Sequence, residues 1–240
     1  MIYVTGDLHG DIGQLQSSAV RKLKRGDTLI VCGDFGFLWE DSRAERKRLV
    51  WLGKRRYHLL FVEGTHDNLD LLREYPTEPW NGGLTRPISG RLRQLVRGEL
   101  FELEGKRILA MGGGQPDEGA QLGVNCWQGA LPDKDEILAI CDRLDSCGWQ
   151  LDAIISHQAP TNIDACITHR VCEVNFLTAL MDTIQRKSKF GDWCFGSYHQ
   201  NRLVPPNYRC LYNQVYCLGG VPQGLLAEGK RKKAERKGEG

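Results

Sequence analysis

The chain has 240 residues, of which 41% are hydrophobic and 26% charged, with a net charge of +2; this suits a soluble globular protein with a sizeable core, built as one large domain or two small ones. No apolar run approaches the roughly 20 residues that span a bilayer, and no basic segment leads into an apolar one at the N-terminus, so neither a membrane span nor a signal peptide is expected. Nine cysteines without a CxxC pair point to reduced thiols and a cytoplasmic protein rather than a disulfide scaffold.

The apolar run Ile2, Tyr3, Val4 reads as a buried strand that ends in Gly6-Asp7-Leu8-His9-Gly10-Asp11. Apolar positions at Ile12, Leu15, Ala19, Val20 and Leu23 predict a helix over 12–25 with a basic end. A second strand, 28–32, ends in Gly33-Asp34. A charged helix over 41–56 follows, with Leu49, Val50 and Leu52 inward and seven basic residues on a solvated face. A third strand, 58–62, ends in Gly64-Thr65-His66-Asp67, and a short helix over 68–75 is stopped by Pro76. Residues 99–103 and 107–111 read as an antiparallel hairpin. The stretch 112–131 has six glycines and no periodicity; without a following Gly-Lys-Ser/Thr it is not a P-loop, and it reads as a lid or binding loop anchored by Trp127. Asp133 and Glu136 form a capping box for a helix ending near Cys147. A strand at 151–155 leads to Ser156-His157, a helix covers 171–187, and a strand at 192–195 leads to Gly196-Ser197-Tyr198-His199. Two last strands are expected at 209–212 and 215–218.

Cys166, His169 and Cys172 are spaced three apart; a partly buried helix face is the main reading and a metal site the alternative. Residues 1–222 are read as one domain. Residues 223–240 form a basic tail: within 227–240 six Lys or Arg accompany three Glu. It reads as a mobile, solvated extension, with a contact to nucleic acid left open.

Five apolar runs thus end in polar turns carrying Asp7/His9, Asp34, Thr65/His66/Asp67, His157 and Ser197/His199, and four of the six histidines fall there. In α/β sheets ligands bind outside the carboxyl ends of strands, so five such turns would converge on one crevice. The order Gly-Asp-x-His, Gly-Asp, Gly-x-His-Asp, a lone His and Gly-x-x-His resembles the calcineurin-like metallophosphoesterases, over nearly the whole chain to about residue 220. Cys32 to Gly36 and Trp80 to Gly83 are similar to stretches of the small bacterial and phage-borne members.

The resemblance implies an α/β sandwich of two mixed β-sheets flanked by helices, with a two-metal site at the strand ends for Mn, Fe or Zn. It assigns one metal to Asp7, His9, Asp34 and His199. It assigns the second to Asp34, His157 and two positions that are Thr65 and Ser197 here, where the family has Asn and His. A neutral hydroxyl is a poorer ligand than imidazole, so one tight site and one weak or empty site are expected. His66 is the implied residue that protonates the leaving oxygen or stabilises the phosphoryl charge. Its usual carboxylate partner is replaced by Phe37, leaving Asp67 or a backbone carbonyl to orient it. Arg86, Arg91 and Arg93 are candidate phosphate contacts or plain surface residues. The implied activity is metal-dependent hydrolysis of a phosphate mono- or diester, with a phosphorylated small molecule or nucleotide as substrate. The other reading is a weakened member of the fold that binds a nucleotide, phosphate or protein.

Overall fold

The computed structural model of the chain describes residues 1–116 and 119–220. In chain order its elements begin with β1 (Ile2–Thr5), α1 (Ile12–Leu15), α2 (Ser18–Arg21), β2 (Thr28–Val31), α3 (Arg43–Gly53), β3 (His58–Phe61) and α4 (Leu69–Arg73). The strands β4 (Glu78–Trp80), β5 (Gly83–Ser89), β6 (Leu92–Leu95), β7 (Leu100–Leu103) and β8 (Lys106–Met111) follow. Then come α5 (Lys134–Ser146), β9 (Ala153–Ser156), α6 (Thr161–Thr168), α7 (Phe176–Lys187), β10 (Asp192–Phe195), β11 (Arg202–Val204), β12 (Tyr208–Cys210) and β13 (Tyr216–Cys217).

The strands form two mixed sheets. One has the order β13-β1-β2-β3-β6-β5-β4 and the other β11-β12-β10-β9-β8-β7. The central strands β1, β2, β3 and β6 run parallel, as do β8, β9, β10 and β12, with antiparallel strands at the margins. Central strands are apolar on both faces because both faces are covered. Ile30, Leu60, Val62, Ile108, Ala110, Ile155 and Cys194 belong to the core between the sheets. Their neighbours Leu29, Val31, Leu59 and Phe61 pack with the residues of α1 to α4. On the other sheet Leu109, Met111, Ile154, Trp193 and Phe195 pack with those of α5 to α7. The result is a helix–sheet–sheet–helix sandwich, the architecture expected from the sequence.

Several boundaries differ from the sequence reading, each for a local reason. The single helix over 12–25 is two short ones: Asp11 caps α1 through the Gly13 N–H (2.7 Å), and Ser17 caps α2 through the Val20 N–H. Consecutive serines favour a cap over a helix interior. The helix expected over 171–187 starts at Phe176, where Asn175 and Thr178 cap each other. His169 is the left-handed C-cap of α6, so the chain leaves that helix before Cys172 and the Cys166/His169/Cys172 spacing makes no shared face. At α5 the capping box is half formed: Asp133 accepts from the Glu136 N–H (2.9 Å), while the Glu136 carboxylate is taken by Arg97. The strands β4 and β5 were not anticipated. They meet at Asn81-Gly82, both at positive φ, a two-residue hairpin turn. The two last strands are present but lie in different sheets, β12 beside β10 and β13 beside β1. The basic tail 223–240 lies outside the described residues. All nine cysteines are unpaired, and among the described residues no helix is long and apolar enough to cross a membrane.

One cap was missed although its pattern is visible. Ser42 accepts from the Glu45 N–H, and the Glu45 carboxylate accepts from Ser42, Trp39 and Glu40 N–H groups at the start of α3. Ser42→Ala is expected to cost about 1 kcal/mol and to lower Tm by about 2–4 °C in a thermal melt.

Candidate metal centre

The parallel strands of the two sheets present their carboxyl ends on one side of the sandwich, and the turns there are stitched together across the two sheets. The Ser197 N–H donates to both oxygens of Asp7 (3.0 and 2.9 Å). The Gly196 N–H donates to the His157 carbonyl, and the Leu8 and His9 N–H groups both donate to the Asp34 carbonyl. His157 Nδ1 lies 2.9 Å from the Cys32 carbonyl. As a carbonyl only accepts, Nδ1 carries a proton, which leaves Nε2 as the ring nitrogen that a metal could use.

Such close approach needs missing side chains. A Cβ on Gly64 would stand 2.0 Å from Asp34 Oδ1, and one on Gly196 would stand 2.0 Å from Asp7 Oδ1. Gly64 and Gly196 are therefore spacers for a carboxylate from another turn, and Gly33 likewise clears the His157 ring, 2.3 Å from where its Cβ would stand. His9, Asp34, Ser197 and His199 all have positive φ (45, 44, 67 and 47°). That concentration of left-handed backbone at one place is typical of functional sites, where surrounding contacts hold it.

Asp7, Asp34 and His157 form the fully buried floor, and His9, His66 and His199 stand at the rim. Three sets of donor atoms converge: Asp7/His9/His199, His9/Asp34/His66 and Asp7/Asp34/His157. The Nε2 atoms of His9 and His199 are 2.9 Å apart, and His199 Nε2 is 3.3 Å from Asp7 Oδ2. His157 Nε2 is 3.5 Å from Asp34 Oδ1. The Tyr212 ring stacks on His199, with centroids 5.0 Å apart. Nothing in the sequence around Tyr212 signals this.

The electrostatics follow from burial. Burial pushes the Asp7 carboxyl up to about 6, aided by the Asp34 charge and opposed by His157 and the Ser197 N–H. Asp34 is also penalised by burial, but the charge of His157 and the hydrogen bonds from His66 outweigh it and hold Asp34 well below the usual carboxylate range. Burial acts to lower the His157 pKa, yet the two carboxylates beside it raise it. Two dry carboxylates therefore share one imidazole, and a cation is the natural complement. The donor set of imidazole nitrogens and carboxylate oxygens, without thiolate, could hold a metal ion.

Thr65 and Ser197 border the same cluster. Thr65 is nearly buried, and its Oγ1 is 3.2 Å from His66 Nδ1 and 3.5 Å from His157 Nε2. Ser197 contributes its N–H to Asp7. His66 is oriented by Asp34, which takes its backbone N–H at 2.8 Å and faces its Nδ1 at 2.9 Å. Asp67 is engaged elsewhere. It is fully buried and accepts from the N–H groups of Phe35 (3.1 Å), Gly36 (2.9 Å) and Gly64 (2.8 Å), tying the turn after β2 to the turn after β3. Burial and the nearby Asp34 charge push its carboxyl up to about 6, against those three donors. Phe37 packs in the core, 5.0 Å from Phe35.

The candidate arginines do not gather at this centre. Arg91 precedes β6 at the amino end of the sheet and donates to the Arg55 carbonyl. Arg93 pairs with Glu78. Arg86 donates to Gln94 and lines a separate cavity of about 220 Å³ with Glu63, Arg73 and Arg97. In the loop after β8, Gly113 and Gly114 bond to Glu63 and Ala130. Trp127 is buried edge-on to Trp39 (4.9 Å), the anchoring role expected of it.

No family model and no curated protein matches the chain. Among solved structures, the phosphopantetheinyl hydrolase PptH from Mycobacterium tuberculosis is similar in outline, at 15% identity and a TM-score of 0.43, over 88% of this chain and 87% of that one.

Proposed function

We propose that the chain is a metal-dependent phosphoesterase of the calcineurin-like type, hydrolysing a phosphate mono- or diester of a small molecule or nucleotide. One observation carries this reading: donor atoms from the turns after strands of both sheets converge in overlapping triplets, Asp7/His9/His199, His9/Asp34/His66 and Asp7/Asp34/His157, with both carboxylates buried. Asp7, His9, Asp34 and His199 would hold one divalent metal. Bound there, such an ion supplies Lewis-acid activation of a water and neutralises phosphate charge.

The chain's own groups do the rest. Asp34 orients His66 so that the imidazole stands at the rim, where it hands a proton to the leaving oxygen. The Cys32 carbonyl fixes the His157 tautomer. Asp67 acts as a positioning residue through the backbone of the Asp34 turn. Thr65 and Ser197 offer neutral hydroxyls where a second metal would need nitrogen or amide ligands, so that position binds weakly. The same two hydroxyls favour the second reading, a weakened centre that binds a phosphate-bearing ligand without turnover.

Metal content per chain after Mn loading, measured with hydrolysis of bis(p-nitrophenyl) phosphate, separates the readings. The expected result is one retained Mn and activity that a chelator abolishes. Thr65→Asn with Ser197→His should raise the content to two and increase the rate. No bound metal at saturating Mn defeats the enzyme reading, and metal without turnover selects the binding one. Two metals in the unmodified chain defeat the account of Thr65 and Ser197.

A further inference from the structure

At the amino end of the first sheet, opposite the metal centre, lies a cavity of about 510 Å³. Tyr57 stands at its edge just before β3, whereas Thr65 follows the other end of the same strand. Its apolar floor is made by Leu15, Val20 and Trp51. Its walls carry Arg21 from α2 and Lys54, Arg55 and Arg56 from the end of α3, and no carboxylate lines it. Among the described residues none of these four cations has an ion-pair partner.

Local structure explains only part of this. Arg55 donates to the Trp51 carbonyl and lies over the Trp51 ring at 3.7 Å, as suits a cation at a helix C-terminus. Arg56 donates to the Arg21 carbonyl. Neither contact accounts for Arg21 facing the same space from another helix. Tyr57 is 4% exposed and its hydroxyl is buried without a hydrogen-bond partner, a group that native interiors rarely leave unsatisfied. The charge also continues past the rim. Residues 21–25 hold four Lys or Arg and no acid. The exposed Lys47 and Arg48 lie one turn before Trp51, on the same side of α3.

We propose that this face binds single-stranded nucleic acid, with one nucleotide seated in the cavity and neighbouring phosphates on the flanking cations. The cavity is of nucleotide size, and its apolar floor suits a sugar or base. The row of cations beyond it exceeds what a lone nucleotide requires. A duplex presents its phosphates on a rigid convex cylinder and would not enter a recess between helices. The inference stands independently of the phosphoesterase reading, because no residue in it touches the metal centre.

Fluorescence anisotropy with a labelled 12-nucleotide single strand, without added metal and on the full chain, tests it. With about four phosphate contacts, affinity should fall roughly 50-fold between 50 and 200 mM salt. Arg21→Ala with Lys54→Ala should weaken binding about tenfold and flatten the logarithmic salt slope by about 1.4, leaving bis(p-nitrophenyl) phosphate hydrolysis unchanged. The tail is common to both proteins, so the difference reports the cavity. Equal binding by the Arg21/Lys54 double variant, or preference for a mononucleotide or for anionic vesicles over the strand, would overturn the proposal.

Discussion

Asp34→Asn should lower kcat/KM on bis(p-nitrophenyl) phosphate by about 10³-fold and strip the centre of metal. The residue belongs to two of the three converging donor sets, and it also orients His66 through both oxygens. Asparagine keeps the shape and removes the charge. A catalytic metal is worth several kcal/mol of transition-state stabilisation, and each 1.36 kcal/mol is a factor of ten. Some stability should go with it. In the metal-free protein the attraction of His157 and the hydrogen bonds from His66 hold the Asp34 carboxyl well below its usual range, so the ionised form stabilises the fold at neutral pH, and a melt in chelator should show a lower Tm. A rate within tenfold of the unmodified chain would remove Asp34 from the centre of the mechanism.

Asp67→Ala is expected to do the reverse in order of effect, failing first in stability. Its carboxylate satisfies three backbone N–H groups in a dry turn. Each buried donor left unsatisfied costs about 1–3 kcal/mol, so a total of roughly 3–5 kcal/mol and a fall in Tm of about 10 °C are expected. The loss should persist in chelator, which separates it from an effect of lost metal. Asp67→Asn should rescue little, because its NH₂ would face a backbone donor. Unchanged Tm with lost turnover would instead make Asp67 a member of the catalytic machinery.

The contrast between these two carboxylates shows where sequence reading ends. Both follow a Gly in a turn at a strand end, and both look equally suited to chemistry. Their roles separate only in space, where Asp34 faces three histidines and Asp67 faces three amides. Arg91 was likewise plausible by composition, but the parallel register of β3 and β6 puts it at the opposite end of the sheet. The Asn81-Gly82 turn and the Ser42/Glu45 box both have patterns visible in the sequence.

By itself the sequence determined which residues could be dry. Period-free apolar runs ending in Gly-Asp or His turns fixed the parallel strands, and with them the edge on which Asp7, His9, Asp34, His66, His157 and His199 gather. That much follows because burial on both faces demands unbroken apolarity, and a chain leaving such a strand must turn in polar residues. Only the tertiary structure decided which donors meet. The hydrogen bonds that aim them, from Ser197 to Asp7, from His157 to Cys32 and from the Phe35-Gly36 turn to Asp67, join residues from 31 to 190 positions apart, and no local spacing encodes contacts of that range. The recess beside Tyr57 belongs to the same class, since its cations come from two helices that only folding brings together.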